Sequence, residues 1–341
     1  MSWDGLPYRG PALYREGFAP GMVEPVAIPA PRVPRIGLAL GGGSARGWSH
    51  IGVIEVLEEA GIHPDVVAGC SIGAVVGGCY AAGKLGILKD FALSLTRRSV
   101  MGLIDVRLGS GLIAGDRLKR RLQRDLGDRR IEHLPIRFAS VATALGSGEE
   151  VWLRSGPLVE AMRASYALPG IFPPVRLDAK LLMDGTLVNP VPVKVARALG
   201  ADLVVCVNLN CESRPGLPAP EDPPEVETVS GEIGEVIAAR RGWAILRGAR
   251  RRLSGRRPPA REPGAPGMAR VMLDAFNITQ DRISRARLAT DPPDVSVHPQ
   301  LAAMGLFEFH KAEDAIRLGR EAAKAALPEL RAMMASAAAR V

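Results

Sequence analysis

The chain is poor in the features that mark a disulfide scaffold, a metal centre or a membrane span. Its four cysteines (Cys70, Cys79, Cys206 and Cys211) lack the paired close spacing of zinc ligands and are too few for a disulfide framework, so a reducing compartment is expected. No group of acids and histidines has metal-ligand spacing, and no cofactor is expected. No run of about 18 apolar residues could cross a bilayer, and no early segment has the charged start and apolar stretch of a secretory signal. A cytoplasmic location is expected, unless the protein attaches to a membrane surface. Acid is missing locally as well. Arg240–Arg261 holds nine arginines and no aspartate or glutamate, which accounts for more than the whole net charge of +8. The high isoelectric point is therefore a local property, and no nucleic-acid partner is read from it.

What is present is organised around Arg35–Gly83. Arg35–Leu40 is an apolar run of strand length that ends in three glycines. Trp48, Ile51, Ile54 and Leu57 then recur at helical spacing, and Gly61 stands where a helix would stop. Asp65–Cys70 is a second strand-like run, and Ile72–Ala82 restarts a helix after Ser71. Two turns thus follow two strands. The first, Gly41-Gly42-Gly43-Ser44-Ala45-Arg46-Gly47, leads into a helix whose N-terminal amides can serve a negative oxygen. The second, Gly69-Cys70-Ser71-Ile72-Gly73, is G-x-S-x-G, a tight strand-to-helix turn that leaves a serine hydroxyl exposed. In a parallel sheet both lie at the carboxyl edge, where ligands bind. A nucleophile beside an amide-lined pocket suits acyl transfer through a tetrahedral intermediate.

Further along, Leu85–Leu95 and Asp116–Leu126 read as helices, and Ile136–Leu145 and Glu150–Leu153 as strands joined by a Gly-Ser-Gly turn. Leu158–Tyr166 is a helix behind Pro157, and Lys180–Met183 a short strand ending at Asp184-Gly185. Val191–Leu199 is a helix and Asp202–Leu209 a buried strand, followed by helical patterns at Asp274–Leu288 and Phe309–Leu327. Alternating strands and helices imply an α/β three-layer sandwich, its central sheet mostly parallel with helices on both faces.

The glycine turn, the G-C-S-I-G turn and the later Asp-Gly, in this order and spacing, resemble the patatin-like phospholipases over about Arg35–Asn210. Asn277–Phe309 is similar to the tail of bacterial members related to neuropathy target esterase. The resemblance implies a serine–aspartate dyad cleaving acyl esters of lipids, with Ser71 as nucleophile and Asp184 as base. It implies an oxyanion hole from the amides of Gly42, Gly43 and Ser44, with Gly41, Arg46, Gly47, Gly69, Gly73 and Gly185 completing the motifs. Two positions depart from the pattern: Ser44 where glycine is common, and Thr186 where a smaller residue follows Asp-Gly. Ser44 suits the turn as long as its φ stays negative.

Competing readings remain. The glycine turn fits neither G-x-G-x-x-G from Gly41 or Gly42 nor a P-loop. Asp184 could simply cap its bend. Ser71, Asp184 and a late His298 or His310 follow the chain order of an α/β-hydrolase triad, although the two motifs here share one strand–helix–strand unit. Arg46 is expected to pair with acids near the elbow, and His50 to pack or hydrogen-bond. A patatin-like fold retained for lipid binding or regulation is the reading from another class. The chain divides into a proline-rich arm (1–34), a catalytic domain (35–210), a proline- and arginine-rich insertion (211–270) and a C-terminal helical extension packing on the domain (271–341). Within the insertion, Trp243, Leu246, Ala249 and Leu253 fall on one side of a helical wheel with Arg240, Arg241, Arg247, Arg251 and Arg252 mostly opposite, and Arg250 adds charge. That is either a solvated charge run or an interfacial helix contacting anionic membrane.

Overall fold

The computed structural model describes residues 33–97, 116–210 and 268–339. The arm up to residue 32 and the segment with Arg240, Arg241, Trp243, Leu246, Arg247, Arg250, Arg251 and Arg252 lie outside the described residues. In chain order the elements are β1 (Ile36–Leu40), α1 (Ser49–Glu59), β2 (Val66–Cys70), α2 (Ile72–Ala81), α3 (Leu85–Ser94), α4 (Asp116–Leu126), β3 (Arg137–Ala144) and β4 (Glu150–Leu153). They continue with α5 (Leu158–Ser165), β5 (Val175–Leu177), β6 (Lys180–Asp184), α6 (Val193–Ala198), β7 (Leu203–Val207), α7 (Met268–Thr290), β8 (Val295–Val297) and α8 (Ala312–Ala339).

The strands form one sheet in the order β5-β6-β3-β2-β1-β7-β8, with β4 also paired to β3. β8, β7, β1, β2 and β3 run parallel, while β4 and β6 pair antiparallel to β3. β1 is wholly buried because both its edges carry a neighbour and both its faces a helix layer. Its side chains alternate accordingly. Leu38 and Leu40 join Ile51 and Ile54 of α1, Val75 of α2 and Ile316 of α8 in one core. Ala39 joins Val193 and Val195 of α6 in the other. The result is the three-layer α/β sandwich with a mostly parallel sheet.

Helices α1 and α8 touch backbone to backbone. A Cβ on Gly52 would lie 2.0 Å from the Ile316 carbonyl oxygen, and one on Gly319 2.0 Å from that of Ser49. Glycine at both crossings lets α8 close over the helix that follows the glycine turn. The structure also differs from the sequence reading in places. The helix read as starting at Val191 starts at Val193, since a residue before proline is driven out of the helical region and Pro192 follows Val191. α8 runs through Pro328 to Ala339 rather than stopping at Leu327, and Leu330, beyond the proline, is buried. The short strands β5 and β8 were not anticipated, being three residues each.

The position of β6 matters most for the site. β2 pairs with β3 as far as Val141, and β6 pairs with β3 from Ala142 onward. β4 occupies Ser140–Thr143 and therefore the opposite edge of β3. β2 and β6 thus share one edge and meet head to head, with Cys70 and Asp184 at the junction.

Candidate active site

Ser71 follows β2 and begins α2, and it holds the left-handed side of the map at φ 55 and ψ −122. A non-glycine residue there costs about 1–3 kcal/mol and persists only where its surroundings impose it. They do so here through a close approach of chains. A Cβ on Gly73 would lie 2.2 Å from the Leu40 carbonyl oxygen and 2.7 Å from that of Gly41. The start of α2 therefore sits directly on the end of β1. From the other side, Ser165 Oγ accepts the Ser71 N–H at 2.9 Å and donates to the Val141 carbonyl at 2.6 Å. The elbow is pinned between a neighbouring strand and α5.

The junction of β2 and β6 brings the serine hydroxyl to the carboxylate. Ser71 Oγ donates to Asp184 Oδ2 at 2.7 Å. The other carboxylate oxygen, Oδ1, accepts from the Thr186 N–H at 2.9 Å and the Thr186 hydroxyl at 2.7 Å. Thr143 Oγ1 donates to the Asp184 carbonyl at 2.8 Å, holding the backbone. Asp184 is buried, and burial raises its pKa from 3.8 to about 6 against the lowering effect of the bonds from Thr186 and Ser71. Thr186 therefore fits its place: its hydroxyl grips the acid, and its methyl fills the space beside Gly42, where a Cβ would come within 2.2 Å of it.

The glycine turn departs from expectation at two positions. Gly42 was read as an oxyanion donor, but its N–H is spent on the Pro190 carbonyl at 2.9 Å. The amides of Gly43 and Ser44 donate to no acceptor among the described residues and remain open. Ser44 suits the turn as long as its φ stays negative, and that condition is not met: it stands at +53. There the chain turns from an extended Gly43 (φ 164) into the helical turn Ser44–Trp48. Arg46 Nε donates to the Met304 carbonyl at 3.0 Å, and the Ala45 N–H donates to Leu306 O at 2.9 Å. Both bonds tie the turn to the segment before α8. Gly41 donates to the Val207 carbonyl at 3.0 Å, and its own carbonyl faces His50 Nε2 at 2.8 Å. Burial lowers the His50 pKa to about 4, so the ring is neutral and Nε2 carries the proton that makes this bond. Gly47, Gly69 and Gly185 each lack room for a side chain, with Ile72, Gly73 and the Val141 carbonyl respectively in the way.

Above Ser71 and Asp184 opens a cavity of about 100 Å³ walled by carbon: Val75, Leu168, Ile171, Phe172, Phe276 and Phe307 among others. Gly43, Ser44 and Thr186 line its floor. No histidine lines it. His298 lies exposed beyond β8, and His310 Nε2 accepts from Arg97 Nε at 3.2 Å. Neither meets the Ser71–Asp184 pair, so the histidine triad finds no support in the geometry.

A family model described as Patatin-like phospholipase matches residues 38–197, spanning the glycine turn, the elbow and the Asp-Gly bend. An uncharacterized NTE family protein of Mycobacterium tuberculosis is 35% identical over 333 residues, covering 86% of this chain and 91% of that protein. The chain belongs to the patatin-like phospholipase family, in its NTE branch. The lysophospholipase nte1 of Emericella nidulans is 34% identical over 189 residues, covering 51% of this chain and 12% of that protein. Among solved structures, VipD from Legionella pneumophila aligns with 86% of this chain and 66% of its own at 13% identity and a TM-score of 0.45.

Within this patatin-like site several residues had escaped the sequence reading. Ser165 belongs to no motif and would have been found only by asking what accepts the elbow amide. Phe276 and Gln280 sit on α7 and line the cavity from more than two hundred residues beyond Ser71 in sequence. Met304 and Leu306 act through backbone carbonyls, which carry no sequence signal.

Proposed function

We propose that this protein is a serine hydrolase of lipid acyl esters, working through a Ser71–Asp184 dyad and an acyl-enzyme. The observation that carries the reading is the 2.7 Å bond from Ser71 Oγ to Asp184 Oδ2 at the floor of an apolar cavity. Asp184 takes the hydroxyl proton as Oγ attacks the ester carbonyl. A carboxylate whose pKa lies near 6 is ionised at neutral pH yet a stronger base than an exposed aspartate. The open amides of Gly43 and Ser44 receive the negative oxygen of the tetrahedral intermediate, helped by Ile72 at the start of α2, whose N–H has no partner within the helix. Collapse expels the alcohol, which leaves with the proton from Asp184. Water then loses a proton to Asp184 and attacks the acyl-serine; the fatty acid is released as Asp184 returns that proton to Ser71 Oγ. The carbon-walled cavity suits an acyl chain, and the lysophospholipase among the relatives favours a phospholipid or lysophospholipid as the ester.

The test is fluorophosphonate labelling with mass mapping, alongside turnover of Ser71→Ala. Labelling at Ser71 and loss of turnover in a folded variant are expected; a variant that keeps more than a small fraction of activity refutes the assignment. Access to lipid is a separate matter. Among the described residues no helix is long and apolar enough to cross a membrane. The arginine-rich stretch with Trp243 and Leu246 offers a peripheral contact instead, at about 1 kcal/mol per basic residue near an anionic surface. Deleting residues 231–267 lowers binding to anionic vesicles, most at low salt, and leaves hydrolysis of a soluble short-chain ester nearly unchanged. Equal vesicle binding by both proteins ends that idea.

A further inference from the structure

One polar side chain in the cavity wall has no part in the chemistry above. Gln280, on α7, is the one carboxamide among the lining residues and is only 5% exposed. Its Oε1 accepts from Asn210 Nδ2 at 3.5 Å, and Asn210 is itself held by its N–H bond to Asn208 Oδ1 at 3.0 Å. Asn210 thereby orients the carboxamide, with its oxygen turned to the protein. The Nε2 amino group is left with two hydrogens and no acceptor among the described residues. An amide donor that faces a cavity is satisfied by water or by whatever fills the cavity. Here the donor borders a cavity, so a ligand oxygen can complete it.

The chemistry of the ester decides which oxygen. An acyl chain has no acceptor beyond its carbonyl, and that carbonyl belongs to the open amides of Gly43 and Ser44. An acceptor for Nε2 must therefore sit on the alcohol half. The geometry points to Gln280 as a substrate-binding residue that donates from Nε2 to a glycerol-backbone oxygen, selecting glyceryl esters over simple alkyl esters. This rests on the lipid-ester reading of the same site and deepens it. A glyceryl hydroxyl next to the reacting ester is common to lysophospholipids and monoacylglycerols, so both are expected to use the contact.

The experiment compares kcat/KM of the full-length parent, Gln280→Met and Gln280→Glu on three esters of one acyl chain: a lysophosphatidylcholine, a monoacylglycerol and an ethyl ester. Methionine keeps the length and flexibility of glutamine without its donors, while glutamate offers acceptors only. Losing one neutral hydrogen bond to substrate predicts a drop of about tenfold on both glyceryl esters in either variant. The ethyl ester is expected to change less than about twofold, which also reports that the variants fold. An equal loss on all three esters overturns the proposal in favour of a structural role. No loss on any of them overturns it outright, and a loss confined to lysophosphatidylcholine moves the contact to the phosphate and overturns the glycerol assignment. Failure of the hydrolase reading would look different: the parent would turn over none of the three, or Ser71→Ala would turn over all of them.

Discussion

Replacing Asp184 by asparagine should abolish turnover and, at neutral pH, make the protein more stable. The buried carboxyl has its pKa raised from 3.8 to about 6. The folded protein therefore holds this proton more tightly than the unfolded chain does. The stability that this preference contributes is fully present below pH 3.8 and is lost as the pH rises through about 6. A shift of that size corresponds to roughly 3 kcal/mol of stability given up by pH 7.5, and roughly half of it by pH 5. Asparagine escapes this loss without leaving a polar atom stranded. Its Oδ1 can accept the Thr186 N–H and hydroxyl that now bind Asp184, and its Nδ2 can donate to Ser71 Oγ. Urea denaturation of parent and Asp184→Asn at pH 7.5, 5 and below 4 measures the effect. The asparagine variant should be the more stable by roughly 3 kcal/mol at the highest pH, with the gap closing toward the lowest. Ester hydrolysis should be lost at every pH. A destabilised variant at pH 7.5, or a gap that does not narrow with acid, would refute the account of Asp184 as a strained, desolvated base.

Thr186→Val removes one of the two bonds on Asp184 Oδ1 and keeps the methyl beside Gly42. A hydrogen bond to a charged group contributes about 1.5–3 kcal/mol, so the acid limb of kcat/KM should move up by about one to two pH units. Thr186→Ser should restore it, and superimposed profiles between pH 5 and 9 would leave Thr186 as packing alone. His298→Ala and His310→Ala should each keep most of the turnover on a soluble ester. Collapse of either, with Asp184→Asn still active, would give the proton transfer to a histidine.

The sequence by itself determined the architecture and half of the site. Strand-length apolar runs ending in glycine, each followed by a helical period, dictate parallel strands with crossover helices, and the observed β1–α1–β2–α2 follows them closely. The G-x-S-x-G turn identified Ser71 because its glycine spacing is contiguous in sequence: Gly69 lies against Gly73 and Ala74 across the turn, although Gly73 itself is pressed against the end of β1. Asp184 was different. An Asp-Gly bend has several uses, and only the family resemblance lifted it to a base. What brings it to Ser71, 113 residues earlier in the chain, is the end-to-end meeting of β2 and β6 along one edge of β3. Register is a property of paired strands and cannot be read from either one alone. The same holds for the oxyanion donors. Three adjacent glycine-turn residues look equivalent in sequence, yet Pro190 takes the amide of Gly42 and leaves those of Gly43 and Ser44. The positive φ of Ser44 follows from how the turn must enter its helix, which the residue type argues against. Ser165, Phe276 and Gln280 are single residues without periodicity or spacing. They became part of the site only when α5 and α7 were packed around the carboxyl edge of the sheet, because burial and hydrogen-bond partnership are decided by what the rest of the chain brings near.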